Sequence, residues 1–90
     1  MAIVAGTLSN LTVNINPDPG DAPDAYTFTV MRNGAEETAQ QCTITAPAQS
    51  CADATGSVVF GNGDDISVRS VEANTAADVQ VSWSAQYTLP

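Results

Sequence analysis

The stretch VQVSWSAQYTL, Val79 to Leu89, decides the fold class. Val79, Val81, Trp83, Ala85 and Tyr87 alternate with Gln80, Ser82, Ser84, Gln86 and Thr88. Successive side chains of an extended strand point to opposite faces, so this period of two sets an apolar row against a polar one. The rhythm recurs upstream. Leu11, Val13 and Ile15 alternate with Thr12 and Asn14, and Tyr26, Phe28 and Val30 with Thr27 and Thr29. Cys42 and Ile44 alternate with Thr43 and Thr45, and Ile66 and Val68 with Ser67 and Arg69. Phe60 closes a further run, so every aromatic side chain lies on a candidate strand. No window carries an apolar stripe at helical spacing. The chain reads as all-β. Its expected core is Leu11, Val13, Ile15, Tyr26, Phe28, Val30, Ile44, Phe60, Ile66, Val68, Val79, Val81, Trp83 and Tyr87.

Turn signals separate the runs. NPDPGDAPD, Asn16 to Asp24, has three prolines and a glycine, which no sheet ladder accommodates. Asn33-Gly34 tolerates positive φ and predicts a tight hairpin. TAPAQ centres on Pro47, GNGDD on Gly61 and Gly63, and EANTAAD closes the series. Seven or eight strands are expected: Ile3–Val4, Thr7–Ile15, Ala25–Arg32, Glu37–Thr45, Ser50–Ala52, Ser57–Phe60, Asp65–Val71 and Val79–Leu89. Short, evenly spaced strands point to one antiparallel β-sandwich or jelly roll over residues 1–90.

Composition limits the function. Ten acids against Arg32 and Arg69, with no lysine or histidine, give a net charge of -8. Binding to nucleic acid or an anionic membrane requires clustered cations, so neither is an expected partner. No segment is long and apolar enough to span a membrane, and MAIVAGTLSN lacks the basic start and apolar run of a signal peptide. The chain therefore reads as made and kept in the cytoplasm. The outward rows are threonine, serine and glutamine rather than the lysine that usually guards an exposed sheet. Such a hydroxyl face can pack on another protein at modest desolvation cost; equally, threonine simply suits strands.

The two cysteines sit in CTITAPAQSC, Cys42 to Cys51. Two thiols without histidine do not make a structural zinc site, and the spacing is not that of a redox pair. With Ala46-Pro47 as a hairpin tip, Cys42 would oppose Cys51 at about 4.5–5.5 Å, within reach of a disulfide. A cytoplasmic setting would keep both reduced. Either state makes the pair structural.

Asn16, Asp18, Asp21 and Asp24 offer oxygens but match no calcium-loop spacing, and a solvated acidic turn is the preferred reading. Asn62, Asp64 and Asp65 are weaker still. Glu36–Glu37 and Asp64–Asp65 are strand neighbours whose carboxylates diverge, so neither pair suits acid–base work on one atom. No base is available to activate a nucleophile. No enzyme activity, metal or cofactor is expected. Trp83 could stack on a sugar, but its phase with Val79, Val81 and Tyr87 places it in the core.

Several phrases together carry a resemblance: GTLSNLTV at Gly6 to Val13, YTFTVMRNG at Tyr26 to Gly34, CTI at Cys42 to Ile44, SCAD at Ser50 to Asp53, GDDISV at Gly63 to Val68, and VSWSAQY at Val81 to Tyr87. In this order they resemble small jelly-roll modules of tailed bacteriophages, similar to trimmed tumour-necrosis-factor-type heads. The chain is shorter than typical members of that larger superfamily. The resemblance implies a homotrimer, as capsid decoration (cement) protein or as a knob of a tail or fibre protein. It offers no catalytic residues. Strands that begin near the first residue and run to Leu89 leave no stalk, which favours decoration. The expected partners are further copies of the chain and the major capsid protein, and the expected location is the virion, assembled in the host cytoplasm. Candidate contact residues are Ala2, Ile3, Val4 and Thr7 near the start and Thr27, Thr29, Ser82 and Ser84 on the hydroxyl faces. A receptor- or carbohydrate-binding knob is the alternative, which exposed aromatics in a groove would favour. An immunoglobulin-like adhesion domain is a third reading, but Trp83 follows both cysteines instead of lying between them.

Overall fold

The computed structural model describes residues 3–90 except 22, 75 and 77. Six strands follow in order: β1 (Gly6–Asn16), β2 (Ala25–Arg32), β3 (Ala35–Thr45), β4 (Ser50–Phe60), β5 (Ile66–Ala73) and β6 (Gln80–Thr88). No helix occurs among the described residues. The strands form two three-stranded antiparallel sheets, ordered β4-β1-β6 (sheet 1) and β3-β2-β5 (sheet 2). The chain is all-β and its architecture sandwich-like.

Six strands replace the expected seven or eight for two reasons. Ser50–Ala52 and Ser57–Phe60 are halves of one strand, β4, whose middle bulges where three of its residues oppose the single Asn10 of β1. Ile3–Val4 is not a strand. It is tied to the β4–β5 turn by bonds from the Ile3 N–H to the Asp64 carbonyl (3.1 Å) and from the Gly63 N–H to the Ile3 carbonyl (2.8 Å).

The β2–β3 hairpin is as expected. Asn33 (φ 52°) and Gly34 (φ 80°) make a two-residue turn with positive φ at both positions, between the paired residues Arg32 and Ala35. The expected second hairpin, tipped by Ala46-Pro47, is different. β3 and β4 belong to separate sheets, so this connection crosses between layers. Cys42 and Cys51 form a disulfide nonetheless. Cys42 pairs with Phe28 in sheet 2 and Cys51 with Val13 in sheet 1, so the bond staples sheet to sheet.

The core lies between the inner faces. Sheet 1 supplies Leu8, Leu11, Val13, Ile15, Val58 and Phe60, and sheet 2 supplies Phe28, Val30, Cys42, Ile44 and Ile66. Tyr26, Val68, Val79 and Tyr87, expected in the core, are half-buried at its margin. Val81 and Trp83 depart from expectation, at 45% and 39% exposed. Their phase is right: Val81 pairs with buried Ile15 and Trp83 with buried Val13, so both stand on the inner face. What is missing is cover. β6 is an edge strand, and on β5 the row Ile66, Val68, Ser70, Glu72 becomes polar and exposed at its far end. β3 packs against β4, whereas β5 and β6 scarcely meet. The sandwich is pinched along one long side and open along the other.

Candidate interaction surface

The charges are not spread evenly over the two sheets. β1 and β6 contain none, and β4 contains one, Asp53. Sheet 2 carries Arg32, Glu36, Glu37, Arg69 and Glu72, and six further aspartates lie outside the strands.

Asp53 does not stand on the outer face: it pairs with inward Leu11 and shares the parity of Cys51, and its carboxylate reaches across to β3. It accepts from the N–H groups of Gln41 (3.0 Å), Thr55 (3.1 Å) and Gly56 (3.3 Å), and from the Thr55 hydroxyl (3.1 Å). These donors, led by the backbone N–H of Gln41, hold its pKa below the ordinary carboxylate value. The outer face of sheet 1 is therefore a hydroxyl and amide surface. Across its strands, Ser50, Asn14 and Ser82 line up, then Ala52, Thr12 and Ser84, then Ser57, Ser9 and Gln86, then Val59, Thr7 and Thr88. Val59 is 67% exposed, an apolar side chain standing among these polar ones.

Of the residues expected to make contacts, Thr7, Ser82 and Ser84 lie on this one face. Thr27 lies on the outer face of sheet 2, where its hydroxyl meets that of Thr43 at 3.0 Å. Thr29 is a correction: it is buried, at 3% exposed. It sits on the central strand between Gln41 and Arg69, and the Gln41 amide donates to its hydroxyl at 2.8 Å. Long neighbours cover a short side chain there. Ile3 is half-buried and Val4 exposed, while Ala2 lies outside the described residues.

The paired carboxylates diverge as strand geometry requires. Glu36 binds Arg69 (2.9 Å) and Glu37 binds Arg32 (3.2 Å). Asp64 accepts from the Asn33 amide (3.0 Å) and the Gly61 N–H (2.7 Å), bonds that lower its pKa. In the acidic loop, Asp18 caps the Gly20 N–H at 2.9 Å. These carboxylates serve turns and ion pairs.

Gln40 was not singled out from sequence, yet it is fully buried. Its side-chain oxygen accepts from the Leu11 N–H (2.9 Å), and its amide donates to the carbonyls of Gly56 (2.8 Å), Ala39 (3.2 Å) and Asp53 (3.4 Å). It thus joins β1, β3 and β4 where their bulges coincide: Asn10 on β1 (φ 55°), residues 38–40 on β3 and 54–56 on β4. Gly56 is required at this crossing, because a Cβ there would run into the Ala39 carbonyl. The sequence held a signal: continuing the inward parity of Ile44 and Cys42 by two residues reaches Gln40.

On the open side, Ile3, Leu8, Ile66, Trp83, Ala85 and Tyr87 line an apolar groove. The Tyr87 hydroxyl donates to the Val4 carbonyl, holding the N-terminal segment along one end. Compared with known protein families, curated proteins and solved structures, the chain matches none.

Proposed function

We propose that this chain is a structural docking module, a decoration (cement) protein that binds junctions between major capsid protein subunits of a bacteriophage, and that its pared-down roll docks through the outer face of sheet 1. One observation carries the docking face: three adjacent strands present a nearly uncharged hydroxyl surface on a chain of net charge -8. Hydroxyl and amide groups lose water at far lower cost than ions and can recover their hydrogen bonds across an interface. The acidic residues of sheet 2 and the loops would then face solvent and keep neighbouring copies apart. The phage setting rests on the strand-and-turn phrases that resemble virion modules. Contacts of roughly 1,000 Å² or more, repeated over a lattice, would reinforce a shell without chemistry.

The test uses capsids stripped of decoration. Thr12→Glu and Ser57→Glu place charges on the outer face of sheet 1, and Thr43→Glu places one on sheet 2. The first two should weaken capsid binding at least about tenfold, the equivalent of roughly 1.4 kcal/mol, with Thr43→Glu near wild type. The reverse ranking would remove the docking face. Wild-type protein that never decorates any such shell would remove the virion reading.

A glycan- or receptor-binding knob is the second reading, favoured by the exposure of Trp83 beside the open groove. Glycan-array binding that disappears with Trp83→Ala would establish it in place of the first.

A further inference from the structure

We propose that β6 is the seam of a two-fold homodimer, in which the free edges of two β6 strands pair antiparallel and join two copies of sheet 1 into one six-stranded sheet. The occupant of the open edge is a second copy of this chain.

The first argument is charge. The sandwich has four edge strands, and three carry ionised side chains: Glu36 and Glu37 on β3, Asp53 on β4, Arg69 and Glu72 on β5. β6 carries none and, among the described residues, pairs only with β1. Edge strands are ordinarily blunted by charge, proline or short length, because their free N–H and C=O groups template further pairing. Nine uncharged residues without proline lack those guards. For two molecules of net charge -8, this edge is where they can approach with least repulsion.

The second argument is register. Pairing the whole of Gln80–Thr88 with itself places the two-fold axis at Ser84. Trp83 then stands opposite Ala85 of the second copy, and Val81 opposite Tyr87. Each large inner side chain meets a smaller one on the same face, at cross-strand distances of about 4.5–5.5 Å. Val81 and Trp83, uncovered in the monomer, gain neighbours. On the outer face Ser82 meets Gln86, Gln80 meets Thr88, and Ser84 meets itself, all pairs able to hydrogen-bond. Asp78 of each copy falls at opposite ends of the seam, roughly 40 Å apart at strand spacing, so no like charges are opposed.

The third argument is extent. Nine paired residues give a seam about 30 Å long with about eight to ten main-chain hydrogen bonds, as many as a standard protein interface contains. The product is a doubled version of the uncharged outer face. The seam does not depend on the capsid reading, and loss of capsid binding would leave it standing.

The experiment is sedimentation of the full chain across a concentration series, following the fluorescence of Trp83, the sole tryptophan. Wild type should reach a dimer, with Trp83 emission shifting blue as it forms. Ser84→Glu puts two carboxylates together at the axis and should hold the protein monomeric, with its far-ultraviolet circular dichroism near wild type and its melting temperature near that of wild type diluted to monomer. Ser84→Cys should cross-link to a covalent dimer under mild oxidation. Ser82→Cys should not, because its counterpart would lie about 13 Å away. A wild-type chain that stays monomeric to its solubility limit would overturn the proposal. So would a trimer that persists in Ser84→Glu, or self-cross-linking by Ser82→Cys as fast as by Ser84→Cys.

Discussion

The two long sides of this molecule are built on opposite terms. On the β3/β4 side, Cys42 and Cys51 bring the Cα atoms of the two sheets to 5.8 Å, where packed sheets ordinarily stand about 10 Å apart. Beside that staple, buried Gln40 bridges β1, β3 and β4 with four hydrogen bonds. On the β5/β6 side no comparable link is found among the described residues, and inner-face Val81 and Trp83 meet solvent. The difference teaches that the same strand pattern yields core or surface according to what faces it. Leu11, Val13 and Ile15 on β1 are buried because β2 and β3 lie across from them. The equivalent row on β6 looks out past the edge of sheet 2.

Truncating one aromatic on each side breaks that contrast most directly. Phe60→Ala on β4 removes a fully buried ring and should cost about 3–5 kcal/mol. Trp83→Ala on β6, measured at dilution to keep the chain monomeric, should cost about 1 kcal/mol or less, since much of the indole already meets water. Urea unfolding of the two variants checks the ranking. Equal losses would mean that the open side is closed in solution.

Removing the staple gives the next largest effect. The paired change Cys42→Ser and Cys51→Ser releases a short loop and should lower stability by about 2–3 kcal/mol. The melting temperature should fall by roughly 10–20 °C, taking about 4–8 °C per kcal/mol for a domain of this size. Reduction of the wild-type chain should reproduce the loss. An unchanged midpoint would show that the Gln40 crossing alone holds the closed side.

The smallest effect is acid dependence at the same crossing. Asp53 is held below its ordinary value of 3.8, so its contribution is complete above that value and is lost as the pH falls through it toward the lower folded value. Asp64 acts in the same direction from its turn. Wild-type stability should decline between about pH 5 and pH 2, and Asp53→Asn should flatten part of that decline. A variant with an unaltered acid profile would remove Asp53 from the account. The effect is modest because the carboxylate remains partly solvated, which screens its interactions.

Much of this structure is legible in the sequence. Alternation placed β1, β2, β5 and β6 within a few residues, and Asn33-Gly34 marked the hairpin turn by its tolerance of positive φ. Leu11, Val13, Ile15, Phe28, Val30, Ile44, Phe60 and Ile66 were correctly assigned inward and are buried. The β4 bulge was not legible. The expected strands Ser50–Ala52 and Ser57–Phe60 stop on either side of Asp53 to Gly56, and only pairing with β1 on both sides shows that one strand runs through. Thr29 misled because burial on an outer face depends on the reach of Gln41 and Arg69 on the flanking strands. The cysteine spacing predicts opposed hairpin positions; the two do bond, but across two sheets.

Sequence alone determined which way the side chains point within each unbulged run, because alternation is a property of the extended backbone and needs no partner strand; the bulges on β1, β3 and β4, where the parity shifts, were left to the pairing. It also determined that β6 is uncharged while the chain as a whole is strongly acidic. Only the tertiary structure decided which inward rows are covered, which strands are edges, and that all but one of the strand charges fall on sheet 2. Those outcomes depend on which strands pair and which sheets face each other, and such contacts join residues far apart in the chain that no local pattern records.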